Sequence, residues 1–433
     1  MPTPSRLTAS PAQRPFHLLA KPGGALCNLG CEYCFYLEKT HLYPAAKNFR
    51  MSPAVLEAYI RDYIAAQPVP VVNFAWQGGE PTLLGVDFFR EVVALQRRYA
   101  DGRKIENALQ TNGTLLDDVW GEFLAENQFL VGISIDGPRE LHDAYRVDKG
   151  QRPTFDAVMA GLGVLKKHGV EFNTLTTVHR RNSPFPVLVY RFLREIGSGY
   201  IQFIPIVERT APKAGAPEGL WLAPPPDHPG MENYDEHVMP WSVRPGDYGD
   251  FLCRIFDEWI QRDVGRVFVQ QFDAALANWA GEPAGVCVYS EKCGGALAIE
   301  HNGDIYSCDH YVYPRYRLGN LLNESLASMV DSPAQRAFGE AKSATLPKYC
   351  RDCTVRFACH GECPKHRFLQ TPEGEPGLNY LCAGYRKFYR HIDPAMSTML
   401  ELLRARRAPA EIMHLPRARW SSARRAKSGG TAH

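Results

Sequence analysis

The residues most able to do chemistry in this 433-residue chain are its 12 cysteines, and they are unevenly placed. Three form a C-x3-C-x2-C triplet, Cys27-Asn-Leu-Gly-Cys31-Glu-Tyr-Cys34. None lies between Cys34 and Cys253, and 8 of the 12 fall within residues 287–382. There Cys287, Cys293 and Cys308 read C-x5-C-x14-C. Cys350, Cys353, Cys359, Cys363 and Cys382 read C-x2-C-x5-C-x3-C-x18-C. Clustered thiols of this kind ligate iron–sulfur clusters or structural zinc. Three thiolates on one loop hold three irons of a 4Fe–4S cluster and leave the fourth free for a small molecule. Eight thiolates suffice to ligate two clusters fully, four each. Zinc remains the alternative at both places. Cys253 stands in an apolar, helix-like stretch and reads as a core thiol.

Other residues that could bind a ligand stand at the ends of strand-like segments. Trp76-Gln77-Gly78-Gly79-Glu80-Pro81-Thr82 pairs two glycines, which allow close backbone approach, with a carboxylate able to accept from an ammonium. Ser134 ends a strand-like run, and Arg146 can grip a carboxylate in a fork.

The triplet together with Gly78-Gly79-Glu80-Pro81 resembles the radical S-adenosylmethionine (SAM) enzymes. The resemblance implies that Cys27, Cys31 and Cys34 hold a cluster whose open iron takes SAM, and that the Gly78–Glu80 backbone holds the SAM amino group. It places Tyr33 and Val207 near the adenine, and Ser134 and Arg146 on the ribose and carboxylate side. The second cysteine set resembles the SPASM extension. By that resemblance Cys287, Cys293, Cys308 and Cys363 hold one auxiliary 4Fe–4S cluster, and Cys350, Cys353, Cys359 and Cys382 a second. Cys34-Phe35-Tyr36, Trp76–Thr82 and Cys308-Asp309-His310-Tyr311-Val312 narrow the likeness to the anaerobic sulfatase-maturating enzymes, over roughly residues 15–392. Those enzymes oxidise a Cys or Ser side chain of a sulfatase polypeptide, in a Cys/Ser-x-Pro/Ala-x-Arg segment, to Cα-formylglycine. The likeness implies Asp309 as the catalytic base, Tyr36 and Gln77 facing the substrate peptide, and His310, Tyr311 and Tyr313 beside it. It also implies three 4Fe–4S clusters and SAM as cofactors, and a low-potential electron donor such as flavodoxin or ferredoxin. The alternative is another SPASM peptide maturase, one that makes a thioether or carbon cross-link on a precursor.

These residues need a scaffold, and its outline is visible. Strand-like segments at 15–22, 71–76, 105–110, 130–135, 170–178 and 200–207 alternate with helix-like ones at 52–66, 86–99, 117–127, 155–168 and 186–196. Such alternation predicts parallel βαβ units, with the chemistry at the C-terminal ends of the strands. A doubly wound sheet would give a similar string. With the resemblance, the expectation is a partial (β/α)6 TIM-like barrel over 15–245, followed by a loop-rich Fe–S domain over 246–395. Residues 208–246 carry eight prolines and read as a connection, before a helix at 248–262. Residues 1–14 read as an extension. Residues 396–433, with eight Lys/Arg against two acids, read as a basic, disordered tail.

Composition closes off other classes. The chain is 45% hydrophobic and 22% charged, an ordinary globular balance. A net charge of +2 gives no general case for nucleic-acid binding. The first residues lack a signal-peptide pattern and no run is long enough to span a membrane. Reduced, clustered thiols then point to the cytoplasm.

Overall fold

Each βα unit is set by local chemistry. Ser52 caps the helix Pro53–Ala66 by accepting from the Val55 amide at 3.3 Å, and Pro53 occupies the first turn, where no amide hydrogen is needed. The strand Val71–Trp76 and the helix Val86–Tyr99 follow at the expected residues. The computed structural model describes residues 11–44, 48–210, 220–226, 238–417 and 420.

Six parallel strands run in chain order: β1 His17–Lys21, β2 Val71–Trp76, β3 Lys104–Thr111, β4 Leu130–Ser134, β5 Phe172–Val178 and β6 Tyr200–Pro205. Their apolar residues are buried between sheet and helices, as parallel strands require. Tyr59, Tyr63, Phe74 and Trp76 are all at most 1% exposed and pack edge-to-face or stacked. Each such ring contributes roughly 1.5–3 kcal/mol by leaving water.

The sheet is larger than the six expected strands and is open. β7 (Phe268–Val269) joins β6, while β8 (Ala296–Glu300), β9 (Asp304–Tyr306) and β10 (Arg317–Asn320) extend it beyond β1. β8 pairs parallel to β1 in register from His17↔Ala296 to Lys21↔Glu300. The barrel is therefore partial, and the region expected to be loop-rich also supplies strands to the same sheet. Helices Pro245–Trp259 and Cys382–Arg404 cross where Gly249 meets Gly384. A Cβ on Gly384 would stand 2.2 Å from the Pro245 carbonyl oxygen.

The tail expectation is corrected. The helix Cys382–Arg404 runs through residue 396, burying Met396, Met399 and Leu402, and the turn Pro409–His414 buries Ile412. An apolar face at helical spacing outweighs the basic composition of this stretch. Most of the Arg/Ser-rich sequence after Pro416 lies outside the described residues, as do residues 1–10 and parts of the Pro-rich segment, 211–219 and 227–237. The rest of that segment forms bridges at Arg209↔Val238 and Thr210↔Leu222. No described helix is long and apolar enough to cross a membrane.

Candidate active site

The C-terminal ends of the strands form one polar rim. After β1 the chain turns through Gly23–Leu26 into the cysteine triplet, and Gly30 and Glu32 donate to Val147 and Tyr145 carbonyls at 2.9 and 3.1 Å. The loop after β2 lies against this turn: Gly79 donates to the Gly24 carbonyl at 2.9 Å and Glu80 to that of Leu26 at 2.8 Å. A Cβ on Gly79 would sit 1.9 Å from the Leu26 carbonyl oxygen; Gly78, at φ +132°, would meet that of Gly24 at 2.8 Å. The glycines thus bring one loop onto the other. Glu80 is buried, and its carboxylate accepts from Thr82 N, Thr82 Oγ1, Thr111 Oγ1 and Asn112 N at 2.6–3.0 Å. These donors tie the loop to the end of β3.

All twelve cysteines are free thiols. Burial pushes Cys27 up to about 11 and Cys31 up to about 12, with Arg146 opposing the shift at Cys31. Such thiols are protonated at neutral pH, and a bound cation is what would deprotonate them. Charge effects among them run in three groups. Cys27 and Cys34 act on Cys31. Cys287 and Cys363 act on Cys308, and Cys287 acts on Cys293. Cys350 and Cys382 act on Cys359, and Cys350 and Cys353 on Cys382. Among the described residues no three or more His, Cys, Asp or Glu side chains converge on a single-ion site. Cys253 is buried in the main core, on the helix Pro245–Trp259.

Asp136, two residues beyond Ser134, is the hub of a second cluster. Its Oδ2 accepts from the Tyr33 hydroxyl at 2.5 Å and from Arg146 Nε at 2.9 Å, with His179 Nε2 at 3.7 Å. Burial pushes the carboxyl up, but Arg146, His179 and His142 outweigh it and hold it below the ordinary range. Arg146 is therefore already paired. Tyr33 packs with Ile206, Leu222 and Trp241, whereas Val207 packs in the main core.

Asp309 comes to the same rim from the second cysteine region. Its Oδ1 pairs with the ammonium of Lys21, the last residue of β1, which also stands 3.9 Å from the Tyr36 ring centroid. Burial raises the Asp309 carboxyl, but Lys21 and His310 together bring it below the ordinary carboxylate value. Tyr36 donates to Glu300 at the end of β8, Gln77 to Gln110, and Lys365 to Glu208. His310 lies 5.6 Å from the Phe35 ring, its Nδ1 3.6 Å from Cys363 Sγ, and burial keeps it neutral at about 3. Tyr311 turns to Tyr316 and Phe338, and Tyr313 lies under Lys39. Lys21, Asp136, His179 and Glu300 were not singled out by sequence. The available signal was position: each ends a strand or stands within two residues of its end.

Two family models match: the radical SAM superfamily over residues 23–184 and the SPASM iron–sulfur cluster-binding domain over 287–354. The protein is thus a radical SAM oxidoreductase with an auxiliary-cluster domain. Its class uses a 4Fe–4S cluster with SAM, and the SPASM domain binds further Fe–S clusters. The chain is 47% identical, over 94% of its length and 96% of the relative's, to a serine-type anaerobic sulfatase-maturating enzyme of Bacteroides thetaiotaomicron. It is 32% identical to a cysteine-type enzyme of Clostridium perfringens, over 88% of this chain and 97% of that one. A solved structure, "Native anSMEcpe with bound AdoMet and Cp18Cys peptide", superposes with a TM-score of 0.76 at 31% identity, covering 90% of this chain and 99% of that chain. The chain belongs to the anaerobic sulfatase-maturating enzymes.

Proposed function

We propose that this protein oxidises a serine, and less readily a cysteine, of a sulfatase polypeptide to Cα-formylglycine. The serine preference is supported by the higher identity to the serine-type of the two relatives compared. When bound, SAM and its cluster supply a radical that removes a hydrogen atom from Cβ, and the auxiliary clusters accept the second electron.

The chain's residues do the rest. Cys27, Cys31 and Cys34 hold the SAM cluster, and the Gly78–Glu80 backbone receives the SAM amino group. Tyr33, Ser134, Arg146 and Val207 border the adenosine and carboxylate side. Tyr36 and Gln77 face the peptide. The two cysteine quartets hold the auxiliary clusters. Asp309, with Oδ1 fixed on Lys21, uses Oδ2 to take the substrate hydroxyl proton. The balance closes: one hydrogen atom leaves Cβ, one proton goes to Asp309, one electron goes to the auxiliary set, and the C–O bond becomes a carbonyl. With cysteine the product is a thioaldehyde, which water hydrolyses with release of hydrogen sulfide. A flavodoxin- or ferredoxin-like donor supplies the first electron, and cysteines clustered as cluster ligands suit a reducing cytoplasm.

The observation that carries this reading is the Asp309–Lys21 pair, which brings a carboxylate from beside an auxiliary cysteine to the strand end where the triplet loop begins. The test incubates reduced, reconstituted protein with SAM and paired peptides carrying Ser or Cys in an x-Pro/Ala-x-Arg context. Aldehyde formed alongside 5′-deoxyadenosine, faster from Ser, is expected. 5′-Deoxyadenosine with no aldehyde from either peptide would reject the activity, and faster conversion of Cys would reverse the preference.

A further inference from the structure

Arg367 is one of the largest fully buried side chains in the molecule, at 1% exposure. Among the described residues its guanidinium donates only to backbone carbonyls: Gly361 at 2.9 Å, Lys342 at 2.5 Å, His360 at 3.0 Å and Glu362 at 3.2 Å. Three of these acceptors are residues 360–362, the short link between Cys359 of one quartet and Cys363 of the other. Gly361, at φ +69°, admits the guanidinium: a Cβ there would stand 2.7 Å from Arg367 Nη2. Glu362 turns its own carboxylate away, to the Cys363 amide at 2.6 Å and Asn379 at 2.8 Å, with His366 at 3.3 Å. Among the described residues no carboxylate pairs with Arg367.

A buried charge needs compensation, and an arginine does not lose its proton to escape that need. Burial disfavours its charge; the groups that offset this are Cys363 of one quartet, Cys350 and Cys359 of the other, and the Glu362 carboxylate between them. Lys342 differs: its ammonium donates to the Cys287, Val288 and Ser290 carbonyls, all on the first quartet's side, and it acts on Cys287 and Cys293.

We propose that Arg367 is a counter-cation shared by the two auxiliary cluster sites and sets the reduction potentials of both. Reducing a cluster adds negative charge, which a cation close by in a poorly polarisable interior stabilises. Arg367 thus acts as a positioning and tuning residue for the electron leaving the substrate, without touching substrate or SAM. The inference rests on the auxiliary-cluster assignment.

The test is a redox titration of the reconstituted full-length protein followed by electron paramagnetic resonance, with iron measured on each sample. Wild type should hold about twelve irons, four for each of three clusters; about four would defeat the cluster assignment itself, separately from the role of Arg367. R367Q with wild-type iron should shift both auxiliary potentials to more negative values, while K342Q should shift only the first quartet's. R367Q with full iron and an unmoved potential at either auxiliary cluster would overturn the proposal. Should R367Q lose iron, R367K decides. Wild-type iron and potentials in R367K support the charge role, and iron loss or shifted potentials there overturn it.

Discussion

Replacing Gly79 with alanine tests the central claim about how the triplet loop is held. The added Cβ would sit 1.9 Å from the Leu26 carbonyl oxygen. An ordinary carbon–oxygen contact is about 3.3 Å, so the two loops must part by about 1.4 Å. The group that must move immediately precedes Cys27. Parting also strains the bonds from Gly79 and Glu80 to the Gly24 and Leu26 carbonyls, each worth about 1 kcal/mol. Stability should therefore fall by roughly 2 kcal/mol. A displacement of this size at a reacting centre costs on the order of 100-fold in rate. The assay is 5′-deoxyadenosine formation by the reduced, reconstituted variant, with iron content and a thermal melt on the same sample. Gly163→Ala is the control: it lies in the helix Phe155–Lys167 with no atom within 4 Å of the added carbon. It should keep full activity and gain up to about 1 kcal/mol. Gly79→Ala cleaving SAM within twofold of wild type, with an unchanged melt, would refute the loop-on-loop argument.

Three further outcomes are expected. Asp309→Asn should still form 5′-deoxyadenosine while aldehyde formation falls roughly 10²–10⁴-fold, the usual loss with a proton-transfer group; the ratio of the two products by mass spectrometry checks this. Asp136→Asn strips the buried Arg146 of its carboxylate and should cost about 3–5 kcal/mol in chemical denaturation. Lys39 is 3% exposed on its side chain and burial pulls it down to about 8, below its unfolded value. Between pH 8 and its unfolded pKa of about 10.4 the unfolded chain therefore binds more protons, and this residue's contribution to stability rises with pH, by at most about 1.4 kcal/mol per unit. Wild type should gain stability relative to Lys39→Met across that window, and parallel stability–pH curves would contradict the assignment.

The scaffold was legible because its signals are local. Ser52-Pro53 announces a helix, and apolar runs such as Val71–Trp76 announce buried parallel strands. The cysteines' gathering into an N-terminal triplet and a later set of eight was legible by spacing. Partnership across the chain was not. Asp136 reads locally as part of an Asp-Gly-Pro turn, and only the fold brings Tyr33, Arg146 and His179 to it. Lys21 reads as the end of a strand, yet its charge is answered by Asp309, 288 positions later. The strands β8–β10 were missed because they are short, sit among cysteine loops and have only single 3-10 turns, no α-helix, between them. The tail was misread because its basic residues, all but Arg404 beyond the helix Cys382–Arg404, dominate composition, while the helix's buried Met396, Met399 and Leu402 set the structure.

The pairing of β8 with β1 explains why the candidate site is composite. Parallel registry places Glu300 opposite Lys21, so both side chains emerge at the same rim. Tyr36, immediately before the turn Leu37–Leu42, can then reach Glu300 while Lys21 covers its ring and holds Asp309. At the far side of the rim Glu208, just past β6, is answered by Lys365 from the auxiliary region. Each of these bonds joins a residue before position 210 to one after position 299; all their side chains are buried except that of Asp309, which is part-exposed. Removing either partner strands a polar or charged group that the fold cannot hydrate, at several kcal/mol for a charged one. The same contacts that stabilise the seam therefore fix Asp309 and the auxiliary region against the triplet loop, through the sheet that joins the two halves.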